Sequence, residues 1–272
     1  MTYLQFKERW KSVVAESRPN TDEKSLYVPK GEEPKTQRQF DTLWCSLFVQ
    51  NVLKEANVKT VIEVGAGRGT LSLYLASNLG LGVSLLDNEE DAIAIAQSEF
   101  DTYGQRAVFY TRDVLQTGLD ENSYNAVVSL GLAEHFESLD ELFREQYRIL
   151  KPGGVMVSLN IPKKFSIQFL NTAMRGIKKL FGAYTESVRK DYYRNTFSAR
   201  EYERAAQEAG FQHTSITHIG PFPLYTPVST QTDRFVMKVH KRMLAVRGVF
   251  LENPYKTNSV IAQAHFLVGY KR

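Results

Sequence analysis

From position 58 onward, short apolar runs alternate with stretches whose apolar residues recur at helical spacing. Val61-Ile62-Glu63-Val64 is a strand-like run that stops at glycines on alternate positions, Gly65, Gly67 and Gly69. Leu71 to Ala76 then opens a helix. Gly82 to Leu86 repeats the strand pattern and ends at Asp87. Asn88 to about Tyr103 is helical, with Ala92, Ile93, Ala96 and Phe100 on its apolar face. Arg106–Tyr110 and Tyr124–Leu130 are a third and fourth strand, and a helix covers about Leu139–Leu150. Lys151-Pro152-Gly153-Gly154 is a turn that opens a fifth strand, Val155–Leu159. Ser198-Ala199-Arg200-Glu201 has the form of a capping box, and its helix stops at Gly210. Phe211–Ile219 and Gln263–Tyr270 complete seven strands. Strands and helices in this rhythm predict βαβ units and a mostly parallel sheet with helices on both faces.

Three stretches break the rhythm. Ahead of the first strand, Tyr3, Phe6, Trp10, Val13 and Val14 share one helical face. Phe40, Leu43, Trp44, Leu47, Phe48 and Leu53 share another, beyond a proline-bearing loop over 17–37. These helices either cover a sheet edge or cap a pocket, and edge cover is the simpler reading. Residues 161–197 contain a basic amphipathic helix with Leu170, Ala173, Met174, Ile177, Phe181 and Tyr184 on one face. Residues 220–262 hold a second helical insertion, with Asp233 as its expected N-cap and Phe235, Val236, Val239, Met243 and Val246 on one face. The predicted division is a lead-in over 1–57, a core over 58–160, a lid over 161–197, and a return to the core over 198–272.

At 272 residues, 43% hydrophobic and 24% charged, the chain is long enough for one sizeable α/β core. The lone Cys45 excludes an internal disulfide framework and fits a reducing compartment. Neither a signal-type N-terminus nor an apolar run near the roughly 20 residues of a membrane span is seen, so a cytoplasmic location is expected. The net charge of +4 is unevenly distributed. Residues 163–194 carry eight Lys/Arg against two Asp/Glu, and 220–262 carry six against two, so the positive charge concentrates in the two insertions.

A glycine turn after the first strand suits a nucleotide, because the backbone can approach the ligand without a Cβ in the way. The dinucleotide fingerprint would need glycine at position 70, where Thr70 stands. Asp87 can accept from both hydroxyls of a ribose under either class of cofactor, and Asp113 can accept from an adenine amino group. In open α/β sheets such ligands sit at the carboxyl ends of the strands. Glu63-Val64-Gly65-Ala66-Gly67-Arg68-Gly69, Asp87, Asp113-Val114, Glu134-His135 and Lys151-Pro152-Gly153-Gly154 together resemble the class I S-adenosylmethionine-dependent methyltransferases. The likeness is to the small-molecule branch with quinone- and sterol-type enzymes, and it covers about 58–160. It implies a Rossmann-like fold, S-adenosylmethionine as cofactor and S-adenosylhomocysteine as product. It also implies that Gly65, Ala66 and Gly67 pass under the methionine part, with Glu63 steering the loop or the amino group. Asp87 would hold the ribose and Asn88 would lie near the adenine. Asp113 and Val114 would bind the adenine edge, and Leu130 and Gly131 would face the sulfonium.

His135 is a candidate general base, and the sequence leaves equally open that it packs against the cofactor. Tyr184, Tyr192, Tyr193, Arg194 and Tyr225 are candidate acceptor contacts. They point to a small acceptor that is amphipathic or carries a carboxylate or phosphate, methylated at O, N or C. No Cys/His cluster has zinc spacing, and no metal is expected. The basic insertions admit peripheral contact with an anionic membrane. Nucleic acid is the less favoured partner, since no Asn/Asp-Pro-Pro-Tyr/Phe motif follows the fourth strand. A non-catalytic partner subunit is the remaining alternative, and the oligomeric state stays open.

Overall fold

The computed structural model describes residues 25–163, 193–220, 230–248, 256–260 and 262–272. In chain order its elements are α1 (Gln37–Glu55), β1 (Thr60–Val64), α2 (Thr70–Leu79), β2 (Gly82–Asp87), α3 (Glu90–Thr102), β3 (Val108–Thr111) and β4 (Tyr124–Leu130). A 3₁₀ turn (Ala133–His135) follows, then α4 (Asp140–Ile149), β5 (Leu150–Asn160), α5 (Ala199–Glu208), β6 (Gln212–Ile219), α6 (Thr230–Gly248) and β7 (Ala264–Tyr270). The seven strands form one sheet in the order β3-β2-β1-β4-β5-β7-β6. β1 to β5 pair in parallel, and β7 runs antiparallel between β5 and β6. The strand order reverses between β1 and β4, so β1 and its glycine turn lie at the switch point.

Because side chains alternate across a strand, each central strand feeds two layers of core. Val61 packs with Leu53, Leu71, Leu75 and Phe100 on the side of α1, α2 and α3. Ile62 and Val64 pack with Leu142, Phe143, Tyr202 and Ala206 on the side of α4 and α5. β7 behaves likewise, with Phe266 on the first side and Leu267 on the second. The position that breaks the apolar run of β1 is Glu63, which is 3% exposed.

The structure revises three local expectations. Lys151–Gly154 is not a turn ahead of the fifth strand but lies inside β5. Tyr124 pairs with Leu150 and Ala126 with Val155, so the extra residues bulge out of register. The bulge is held from outside, Gly153 N–H donating to Lys271 O and Lys271 N–H to Gly154 O. In α1 the buried residues include Gln37, Asp41, Ser46 and Gln50 beside Cys45, Val49 and Leu53, whereas Leu47 is 46% exposed. The helix packs one flank on the sheet, with Phe48 stacked on Phe266 at 4.0 Å, while Gln37 meets Asp233 and Gln50 meets Asn78. Asp233 is not an N-cap, since α6 begins at Thr230. Its carboxylate accepts from the side-chain and backbone nitrogens of Gln37 and so receives the first turn of α1. The first amphipathic helix of the lead-in and that of 170–184 lie outside the described residues.

The three glycines of the first turn do not share one task. Gly69 is the N-terminal cap of α2 in the left-handed region, with φ 68°. A Cβ there would lie 2.3 Å from Leu85 Cδ2 and 3.2 Å from Ala96 Cβ. Gly69 therefore lets α2 and α3 close on β2. Gly69→Ala combines an unfavourable φ with overpacking, and is expected to lower stability by about 2–4 kcal/mol in urea denaturation.

Candidate active site

One cavity of about 580 Å³ lies at the carboxyl ends of β1, β2, β3 and β4, within the size range of small-molecule sites. β1 and its turn supply Glu63, Gly65, Ala66 and Gly67, and the end of β2 supplies Asp87 and Asn88. The segment after β3 supplies Asp113 and Val114, and the end of β4 supplies Leu130, Gly131 and His135. All ten expected cofactor positions and the candidate base thus converge on one space, although they are scattered from Glu63 to His135 along the chain.

The glycine turn is fastened by carboxylates on both sides. Glu63 Oε2 accepts from Ser72 N at 2.9 Å and from Ser72 Oγ at 2.7 Å. Ser72 lies in the first turn of α2, whose cap Gly69 has no side chain to offer, so the strand residue satisfies this backbone donor. Burial raises the Glu63 carboxyl to about 7, against the opposing pull of the Ser72 hydrogen bonds; nearby Asp87 adds to the rise. Asp87 Oδ2 accepts from Gly67 N at 2.8 Å, and Oδ1 accepts from Glu89 N at 3.1 Å. A carboxylate oxygen can accept more than one hydrogen bond, which is the chemistry a ligand hydroxyl would use. A Cβ at Gly65 would fall 2.6 Å from Leu132 Cδ1. Asp113 Oδ1 accepts from Leu115 N at 2.8 Å, an Asx turn that sets the chain after β3.

At the end of β4 the 3₁₀ turn is held by a segment far away in sequence. Asn195 is 2% exposed and donates from Nδ2 to Ala133 O and Phe136 O. Its Oδ1 accepts from the Tyr202 hydroxyl at 2.8 Å, and its backbone N–H donates to Glu134 O. Its carbonyl accepts from Lys163 N, which ties in the chain after β5. This latch brings Tyr193 O within 2.7 Å of His135 Nδ1. A carbonyl can only accept, so Nδ1 carries a proton, and Nε2 is the basic nitrogen in the neutral tautomer that this bond selects. Glu134, beside it, is 2% exposed, and its Oε2 has no hydrogen-bond partner. Burial lifts its carboxyl to about 7 against the opposing pull of the amides of Glu134 and Ile161 and of nearby Arg194.

The candidate acceptor contacts fare differently. Tyr193 is 40% exposed and meets His135 through its backbone carbonyl; neither it nor Arg194 lines the cavity. Tyr184, Tyr192 and Tyr225 lie outside the described residues. The structure adds wall residues that sequence reasoning missed. Arg38 and Thr42 come from α1, Leu26 from the segment before it, and Phe136 and Glu137 from the end of the 3₁₀ turn. The segment before α1 is pinned over α2, Val28 N donating to the Tyr74 hydroxyl at 2.8 Å. Arg38 and Thr42 are four apart and so share a helix face, the one sequence signal available for them. Thus α1 both covers the sheet and walls the pocket.

The model of a methyltransferase domain matches residues 61–154. A sterol 24-C-methyltransferase of Pneumocystis carinii (strain B80) is 31% identical over 102 residues, which are 37% of this chain and 27% of the relative. The chain therefore spans about a quarter of that relative's length. A putative sarcosine dimethylglycine methyltransferase from Galdieria sulphuraria has a TM-score of 0.57 at 16% identity, with 97% of each chain covered. Haemonchus contortus phosphoethanolamine N-methyltransferase 2 in complex with S-adenosyl-L-methionine has a TM-score of 0.54 at 17% identity, over 90% of this chain and 61% of that one. Residues 61–154 are thus similar to a methyltransferase domain, and the chain shares the Rossmann-like fold of these solved structures.

The raised carboxyl of Glu134 has a consequence for stability. Its folded value lies above the usual 4.5, so the folded state holds the proton more tightly than the unfolded chain. The contribution is present below about pH 4.5 and is lost as pH rises toward 7. Glu134→Gln is expected to match the parent near pH 4.5 and to exceed it at pH 8, by on the order of 3 kcal/mol at most. Urea titrations at the two pH values read this directly, and an equal difference at both would contradict it.

Proposed function

We propose that this protein transfers a methyl group from S-adenosylmethionine to the O, N or C atom of a small acceptor that is anionic or amphipathic. The carrying observation is the convergence of four strand ends, a glycine turn and two carboxylates on one cavity. The residues present fit the donor. Gly65 and Gly67 leave the turn without side chains, and Asp87 stands at the end of β2 with acceptor capacity for ribose hydroxyls. Asp113, Asn88 and Val114 line the same space and suit the adenine. Leu130 and Gly131 are the proposed neighbours of the sulfur, and Glu63 suits the amino group. When bound, S-adenosylmethionine supplies an electrophilic methyl on a sulfonium and leaves as S-adenosylhomocysteine.

The protein's own share is alignment, exclusion of water and custody of one proton. Leu132 and Phe136 provide apolar wall beside His135. With Nδ1 held to Tyr193 O, Nε2 of His135 is the proposed acceptor of the proton that an O–H or N–H substrate must lose. Arg38, on α1, is the proposed contact for a carboxylate or phosphate on the acceptor. The similar proteins reported above are named for a sterol, a phosphoethanolamine and, as a putative activity, sarcosine and dimethylglycine, which suits a pocket combining apolar wall with a guanidinium.

Isothermal calorimetry tests the donor half, and no heat at millimolar S-adenosylmethionine would sink it. Asp87→Ala is expected to weaken donor binding by about 1.5–3 kcal/mol, roughly tenfold to 150-fold. Asp87→Asn, which keeps an acceptor oxygen, should lose less. Once an acceptor is found by screening with isotopically labelled donor, His135→Ala should lower turnover by about 10²–10⁴-fold with donor affinity unchanged. Unchanged turnover would remove the base role and leave His135 as packing.

A further inference from the structure

We propose that α6 is a membrane-surface helix, which docks in the interfacial layer of an anionic lipid bilayer. Phe235, Val239, Met243 and Val246 stand at i, i+4, i+8 and i+11 and are 67%, 42%, 55% and 63% exposed. At 100° per residue they form one stripe about 80° wide. Half of the exposed large hydrophobic residues among the described ones sit on this single helix. The opposite face is the packed one, since Met237 and His240 are buried, His240 meets the Phe40 ring edge-on, and Asp233 receives Gln37 of α1. The stripe is therefore a second apolar face, beyond what packing against α1 uses.

Its flank decides the occupant. Arg234, Lys238 and Arg242 are exposed and run at four-residue spacing directly beside the stripe. The sole acid of the helix, Asp233, is turned to Gln37, and Lys241 is paired with Glu33 on the packed side at 2.8 Å. Among the described residues of the helix, the outward surface thus carries three cations and no anion. A second copy of the chain would set like charges against one another, which argues against self-pairing. An anionic bilayer satisfies both halves, the cations meeting headgroups and the four side chains entering the headgroup–acyl boundary. The helix is not long and apolar enough to cross a membrane, so it lies in the plane of the surface. This docking is independent of the acceptor's identity and goes beyond the methyl-transfer reading.

Flotation of the full chain with vesicles tests it, comparing phosphatidylcholine alone with phosphatidylcholine containing phosphatidylglycerol. We expect binding to the anionic vesicles only, reduced by high salt. Arg234→Gln, Lys238→Gln and Arg242→Gln together should weaken it at least tenfold, and Phe235→Ser with Met243→Ser should do the same. Both variants alter exposed positions, so thermal midpoint and S-adenosylmethionine affinity should stay at parent values and serve as controls for fold and for the separate methyl-donor reading. If a variant fails these controls, Val246→Cys carrying a polarity-sensitive dye replaces it, Cys45 being buried; a blue shift on anionic vesicles is expected. Absence of binding or of the blue shift overturns the proposal. Binding retained in full by both variants places the lipid contact elsewhere and overturns it too. A concentration-dependent dimer that Phe235→Ser with Met243→Ser dissolves would make the face a protein contact and would overturn it as well.

Discussion

The bond between the Glu63 carboxylate and the first turn of α2 is the constraint on which the site depends. The backbone donors at a helix start need partners, and a capping side chain normally provides one of them. Here the cap is Gly69, required by the close approach of Leu85 and Ala96, and it has no side chain to give. The strand before the turn supplies the missing group, from a position where a fully buried strand would carry another valine or isoleucine. Asp87 completes the arrangement by accepting from Gly67, so the turn is tied to both strands that flank it. The turn is thereby held rigidly by hydrogen bonds from both sides.

That rigidity has an energetic cost that the protein tolerates. Glu63 and Glu134 are both buried, and burial lifts both carboxyls to about 7. Neither has an ion-pair partner at contact distance among the described residues, so each weakens the fold where it is ionised. Placing such groups at the strand ends of a cavity, beside the 3₁₀ turn and the glycine turn, is the pattern expected of a site kept for chemistry at the expense of stability.

The second half of the chain reaches the site through Asn195. Its side chain and backbone join β4's 3₁₀ turn, α5 through Tyr202 and the extension of β5 through Lys163. The tautomer of His135 follows from this latch, because Tyr193 O lies only two residues from Asn195 and is carried into place with it. A residue with no apparent chemistry in the sequence therefore sets the tautomer of one that has it.

The periodicity of the chain determined the seven strands and their helices, because buried parallel strands and amphipathic helices leave distinct apolar patterns. The strand-end residues Glu63, Gly65, Gly67, Asp87, Asp113 and His135 were legible for the same reason, since each is placed by local distance from a strand. Lys151–Gly154 reads as a turn in the sequence because a bulge and a turn share their glycines, and only pairing with β4 and Lys271 separates them. The buried polar stripe of α1 was hidden as well, since hydropathy cannot foresee that Gln37 will meet Asp233 of α6. Arg38, Thr42 and Asn195 belong to the site only through contacts over long stretches of sequence. What local pattern can encode, the sequence by itself determined: the strands, their order of appearance and the donor end of the cavity. Which side chains close the other end, and which nitrogen of His135 holds the proton, depends on hydrogen bonds between distant segments, and those exist only once the sheet has brought them together.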